Sequence, residues 1–157
     1  MTYDEWLVEV PAAITDDSLW KTNVYRQALF ISDLSWYDTR KLIQDRSLLS
    51  LSDQLYEAVG SISANISEGY SRASGKDQAR FYEYALGSAR EARGWYFNGR
   101  YVLGMTVANH RMNLLAAIIR QLSTMVPKYR GKKIEEEEAP YEIFSLSDLL
   151  QSVPMPK

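Results

Sequence analysis

The chain has 157 residues, a formal net charge of −2, one histidine and no cysteine. That length suits one domain able to bury roughly 70% of its unfolded surface without covalent staples, and the missing thiols exclude a disulfide framework, a thiolate nucleophile and a zinc-thiolate centre. No apolar run reaches the ~20 residues that span a bilayer, and Asp4 and Glu5 ahead of Trp6 are unlike the basic flank of a signal peptide, so a soluble, cytoplasmic protein is expected, with no membrane partner.

Residues 1–16 hold Trp6, Leu7 and Val10 before Pro11, which predicts a short arm docking its apolar side rather than a full helix. Asp16, Asp17 and Ser18 offer side-chain oxygens to the free amides of a first turn, so a first helix is expected from Leu19 to about residue 40, with Trp20, Val24, Ala28, Ile31 and Leu34 on one face. Ser47 to Ser50 are placed to cap a second helix. Its stripe of Leu48, Leu51, Leu55, Val59, Ile62, Ile66 and Gly69 advances by three and four residues and should run to about Ala73. Gly60 and Gly69 cost helix propensity, and glycine there allows close backbone approach.

Ser74-Gly75-Lys76-Asp77 has the spacing of a capping box. It opens a third helix with Phe81, Ala85, Ser88, Ala89, Ala92, Tyr96, Gly99 and Leu103 inward, ended by Gly104. Thr106 is expected to cap a fourth helix carrying Val107, Leu114, Ile118, Gln121 and Met125, stopped at Val126-Pro127. Short connections make such helices antiparallel neighbours, so the expected fold is all-α, an up-down-up-down four-helix bundle over residues 17–130. Residues 131–157 read as an appended acidic linker and tail, in which Glu135 to Glu138 precede Tyr141, Ile143, Phe144, Leu146, Leu149 and Leu150. This tail either docks on the basic helices, in competition with nucleic acid, or engages a partner.

The third helix carries more apolar surface than one bundle can bury. Tyr84 and Trp95 fall on one side of its inward stripe, Leu86 and Phe97 on the other, and Tyr101 almost opposite, while Gly87 and Gly94 leave room for another helix. Tyr84, Trp95, Phe97 and Tyr101 are therefore the expected contacts of a homo-oligomer. Charge is divided too: residues 1–71 hold five basic and eleven acidic side chains, residues 72–130 ten and three, and residues 131–157 three and six. Arg72, Lys76, Arg80, Arg90, Arg93 and Arg100 form the one functional constellation, either a polyanion surface or a set paired with Asp33, Asp38, Asp53 and Glu57. Tyr82 and Tyr101 would stack on bases if exposed.

Ser61-Ile62-Ser63-Ala64-Asn65-Ile66-Ser67-Glu68-Gly69, Arg72, Arg80-Phe81 and Ala85-Leu86-Gly87-Ser88-Ala89-Arg90-Glu91 resemble the pattern of the 23S rRNA-intervening sequence protein family, most closely over residues 51–100. Accessory variability determinant proteins of diversity-generating retroelements share its bundle. The resemblance implies ring-shaped pentamers of four-helix bundles, and partners that include RNA or single-stranded DNA and a reverse transcriptase.

Catalytic readings lack parts. Asn65 and Glu68 have no base or nucleophile beside them, and a buried Asn65 fixing helix register is the preferred reading. A carboxylate-bridged di-iron site needs Glu-x-x-His on two helices, yet His110 is the one histidine and Val107 stands three before it. The Arg-x4–6-His motif of all-helical ribonucleases is missing because positions 103 to 105 are Leu, Gly and Met. His110 is expected to be a surface or packing residue at a helix start. The expected function is a non-enzymatic, ring-forming scaffold or accessory protein associated with nucleic acid, with no cofactor or metal. The alternative is a protein-interaction module displaying its tail.

Overall fold

Apolar spacing of three and four residues yields helices throughout the computed structural model, which describes residues 2–131 and 145–157. They are α1 (Tyr3–Glu9), α2 (Ala12–Thr15), α3 (Asn23–Leu42), α4 (Leu49–Tyr70), α5 (Gly75–Leu103), α6 (Met105–Tyr129) and α7 (Leu146–Gln151), with 3-10 turns at Ser18–Lys21 and Arg46–Leu48. No strand occurs among the described residues, and no helix there is long and apolar enough to cross a membrane.

Local capping chemistry accounts for several departures from the expected boundaries. The N-terminal arm is a helix after all, because Thr2 and Glu5 satisfy each other's main-chain amides in a capping box. Asp17 does cap, but its carboxylate takes the Leu19 amide at 2.8 Å and so starts the 3-10 turn, leaving α3 to begin at Asn23. Before α4, Asp45 rather than a serine is the acceptor, bonded to both the amide and hydroxyl of Ser47, and these bonds hold its carboxyl below the usual range. Ser74 caps α5 through the Asp77 amide, as its spacing predicts. Gly104, at φ 86°, ends α5 and is also the residue from which α6 starts, so Thr106 lies inside the first turn and caps nothing. Pro127 lies within α6. Proline removes only one main-chain donor there, in the last turn, and the helix continues to Tyr129.

Neighbouring helices pack in the order α3 on α4, α4 on α5, α5 on α6, and α6 back on α3. The core is the expected one in most particulars: Val24, Ala28, Ile31 and Leu34 of α3, Leu55, Val59, Ile62 and Ile66 of α4, Ala85, Ala89, Ala92, Tyr96 and Leu103 of α5, and Val107, Leu114 and Ile118 of α6 are all buried. Glycines on α4 and α5 let neighbouring helices approach closely. A Cβ on Gly69 would lie 2.8 Å from the Tyr82 ring, and one on Gly75 would collide with the Tyr129 main-chain oxygen. Glycine is therefore a packing requirement at both ends of the α4–α5 connection.

Between α3 and α6 the seam is closed by the two chain ends. Trp6 of α1 is buried, stacks near Tyr3 and Phe30, and donates its indole N–H to Asp33 at 2.5 Å. Next to α1, α7 lies against α6 and buries Leu149. Gln121 of α6 donates to Gln27 of α3 at 2.6 Å across the same seam.

Candidate functional site

The basic set is dispersed rather than clustered. Arg72 and Arg80 gather at the α4–α5 connection, both over the Phe81 ring at 4.6 and 5.4 Å, and Arg72 also pairs with Glu68 one turn back. From Arg80 to Arg100 is about 30 Å along α5 at ~1.5 Å per residue, so the six cations make two stations. The second station holds Arg90, Arg93 and Arg100. Arg90, Arg93 and Lys76 are exposed and make no ion pair or hydrogen bond among the described residues.

Pairing of these cations with Asp33, Asp38, Asp53 or Glu57, the other reading, does not occur among the described residues, where Arg72–Glu68 is the one ion pair that any of the six makes with the acidic half. Asp33 accepts the Trp6 indole, Asp38 binds Arg111, and Asp53 and Glu57 make no ion pair among the described residues. Arg130 pairs with Glu83 at 2.6 Å, near the end of the molecule that carries Arg72.

Aromatic side chains on α5 divide between two flanks, at ~100° per residue. Phe97 and Tyr101 are 51% and 80% exposed, and the Arg100 guanidinium rests on both rings, at 3.9 and 4.2 Å from their centroids. Arg100 also donates to the Phe97 carbonyl at 2.7 Å and the Tyr101 hydroxyl at 2.8 Å. The result is a flat cation–aromatic shelf, held by interactions worth about 0.5–1 kcal/mol each at an exposed site, on the helix that also carries Arg90 and Arg93. On the opposite flank Tyr84 is exposed against Phe81, and Trp95 is half-buried with its indole donating to Glu91 at 3.3 Å. Gly87 and Gly94 border open space.

Two expectations are overturned here. Tyr82 cannot stack on a base, because it is 1% exposed, packed edge-on against Tyr129, and burial pushes its hydroxyl pKa well up. Asn65 is only half-buried and donates to the Ser61 carbonyl of its own helix at 2.8 Å, so it sets no register between helices. Ser61 and Ser63 likewise bond back to Glu57 and Gly60 carbonyls, satisfying their hydroxyls locally.

A buried polar network at the other end of the molecule went unrecognised in the sequence. Asp38 of α3 and Arg111 of α6 are both 0% exposed. Arg111 donates from Nε to Asp38 Oδ2 at 2.8 Å and from Nη2 to Oδ1 at 3.1 Å, and the Tyr96 hydroxyl donates to the same carboxylate at 2.9 Å. Arg111 Nη1 lies 2.9 Å from His110 Nδ1, and His110 Nε2 lies 2.7 Å from the Leu149 carbonyl. An arginine only donates and a carbonyl only accepts, so the ring is neutral with its proton on Nε2. Burial is the main cause that lowers the His110 pKa to about 4, with the Arg111 charge adding to it and the Leu149 bond opposing it. Helical spacing held a signal for this pair. Arg111 falls between Val107 and Leu114 on the apolar stripe, and Asp38 between Leu34 and Leu42, so each is a charge in a core register.

The described part of the tail docks on α6 and α1, away from Arg90 and Arg93. Glu135 to Glu138, Tyr141, Ile143 and Phe144, on which competition with nucleic acid was expected to depend, lie outside the described residues. Among the described residues no group of three or more His, Cys, Asp or Glu side chains is placed to hold a metal ion.

The family model for 23S rRNA-intervening sequence protein matches residues 21–128. No curated protein and no solved structure matches the chain.

Proposed function

The chain belongs to the 23S rRNA-intervening sequence protein family over residues 21–128, and from that membership we propose a non-enzymatic accessory protein whose antiparallel four-helix bundle assembles with copies of itself and binds single-stranded nucleic acid. The observation that carries the reading is the shelf on α5, where Arg100 is stacked between Phe97 and Tyr101 and is accompanied by Arg90 and Arg93, which have no partner among the described residues. Cations bind phosphates without regard to sequence, and flat rings accept any base. In a ring of five, the assembly that the resemblance implies, the shelf would be repeated and weak interactions would add as avidity. Tyr84 and Trp95 on the opposite flank of α5 are then the subunit contacts, leaving Phe97 and Tyr101 for bases. A reverse transcriptase is the protein partner that the likeness to retroelement accessory proteins brings with it.

The test is a salt series with fluorescent single-stranded RNA, run beside light scattering to find which multiple of 18.0 kDa is present. Replacing Arg90, Arg93 and Arg100 together by Ser lowers affinity, and the slope of log affinity against log salt falls by roughly one for each phosphate that the variant no longer neutralises. An assembled triple variant that binds like the parent refutes the site. A second reading, a protein-interaction module without nucleic acid, draws on Trp36, Ile43 and Tyr56, which border a cavity of about 240 Å³ between α3 and α4. Absence of RNA binding by the parent at low salt favours it.

A further inference from the structure

The segments that close the α3–α6 seam, α1 and α7, both lie outside residues 21–128. Residues 145–157 are held lightly. Leu149 is their one buried side chain, with Leu146, Leu150, Val153 and Met155 half-buried against the core. Among the described residues two hydrogen bonds tie them to the body: His110 Nε2–H donates to the Leu149 carbonyl, and Gln151 donates to the exposed Asp4 at 2.7 Å. Further on, Met155, Pro156 and Lys157 border a cavity of about 230 Å³ with Tyr37, Arg40, Lys41 and Gln44.

Nothing beneath the segment depends on it for charge neutrality. Asp38 is satisfied by Arg111 and Tyr96, and the Arg111 fork is filled by Asp38 and His110. Without the segment, only the His110 Nε2–H would be left without its acceptor, and water at the opened surface replaces one. Conversely, six residues of helix, capped by Ser145, are too few to persist alone in water. The segment is helical only where it is docked.

We infer that the seam bounded by α1, α3 and α6 is a peptide-docking site, and that residues 145–157 are its exchangeable ligand, carried in cis. The site takes a short amphipathic helix with leucines at i, i+3 and i+4, the positions of Leu146, Leu149 and Leu150, and His110 reads the main-chain carbonyl of the middle leucine. This docking is independent of the nucleic-acid shelf on α5. A partner with the same apolar triplet gains access when the cis segment lets go.

The test uses the full chain and a fluorescein-labelled peptide of residues 145–157, followed by anisotropy. Tethering keeps the cis segment at an effective concentration on the order of millimolar, so the parent resists the peptide. Leu149→Asp in the full chain opens the seam, and the peptide then binds at least tenfold more tightly than to the parent. A peptide carrying Leu146→Asp and Leu149→Asp binds neither. Equal binding to parent and variant, or no binding to a variant whose helical circular dichroism is intact, overturns the inference. Native-state hydrogen exchange on the parent is the second measurement. Amides of Leu149 to Ser152 exchanging at least a hundredfold faster than those of buried α4 residues support local release; protection equal to the core, or a Leu149→Asp chain that unfolds, shows an integral element and refutes it.

Discussion

Replacing Asp38 by Leu tests the buried network most directly. The substitution strands the Arg111 guanidinium at 0% exposure with His110 as its remaining partner, and deprives the Tyr96 hydroxyl of its acceptor. Removing one partner of a buried ion pair costs about 3–5 kcal/mol, because the other charge is left without compensation. With a urea m-value of roughly 2 kcal/mol/M for a domain of this size, the midpoint moves down by roughly 1.5–2.5 M. Leu at position 38 with Met at 111 removes both charges and keeps apolar volume, and such replacements are often neutral or stabilising. The double variant still leaves the Tyr96 hydroxyl without its acceptor, a cost of about 1–3 kcal/mol, so its urea midpoint should lie above that of the single variant and below that of the parent. Urea melts followed by circular dichroism read both numbers. A single variant destabilised by less than about 1 kcal/mol, or a double variant as unstable as the single, would refute the account of a pair that matters through mutual compensation.

The His110 pKa, lowered to about 4 in the fold, makes stability depend on acid. Unfolded His110 takes up its proton near pH 6.5, so this contribution is complete above that pH and is lost as pH falls toward 4, by about 3 kcal/mol in all. Urea melts of the parent and His110→Gln should diverge across that window, with the variant flatter between pH 6.5 and 4; parallel curves would contradict the neutral ring. Two glycines of α4 should respond to alanine with opposite signs. Gly69→Ala forces a Cβ to 2.8 Å from the Tyr82 ring and 3.0 Å from Phe81 Cβ, an overpacking that costs about 1–3 kcal/mol, whereas Gly60→Ala meets nothing within 4 Å and gains roughly 0.5–1 kcal/mol of helix propensity. Thermal melts that move in the same direction for both would sink the packing explanation.

Local patterns determined much of this protein from the sequence alone. Apolar residues at three and four mark the buried faces of α3 to α6 because one helical turn brings those positions together, and Ser74 announces the start of α5 because its hydroxyl needs only an amide three residues away. Gly69 was readable as a close approach, though not as the place where Tyr82 sits. The basic, aromatic outer face of α5 was legible from the same periodicity. What only the tertiary structure decided are relations between elements far apart in the chain. Asp38 and Arg111 are 73 residues apart, and the periodicity that puts each charge in a core register does not say which helix will face it or at what height. Tyr82, which is not among the residues of the inward stripe, is buried because α4 and α6 both lean on that part of α5. The same holds for the chain ends: α1 and α7 are short helices that find their shape by covering the α3–α6 seam, and that seam exists only once the longer helices have packed.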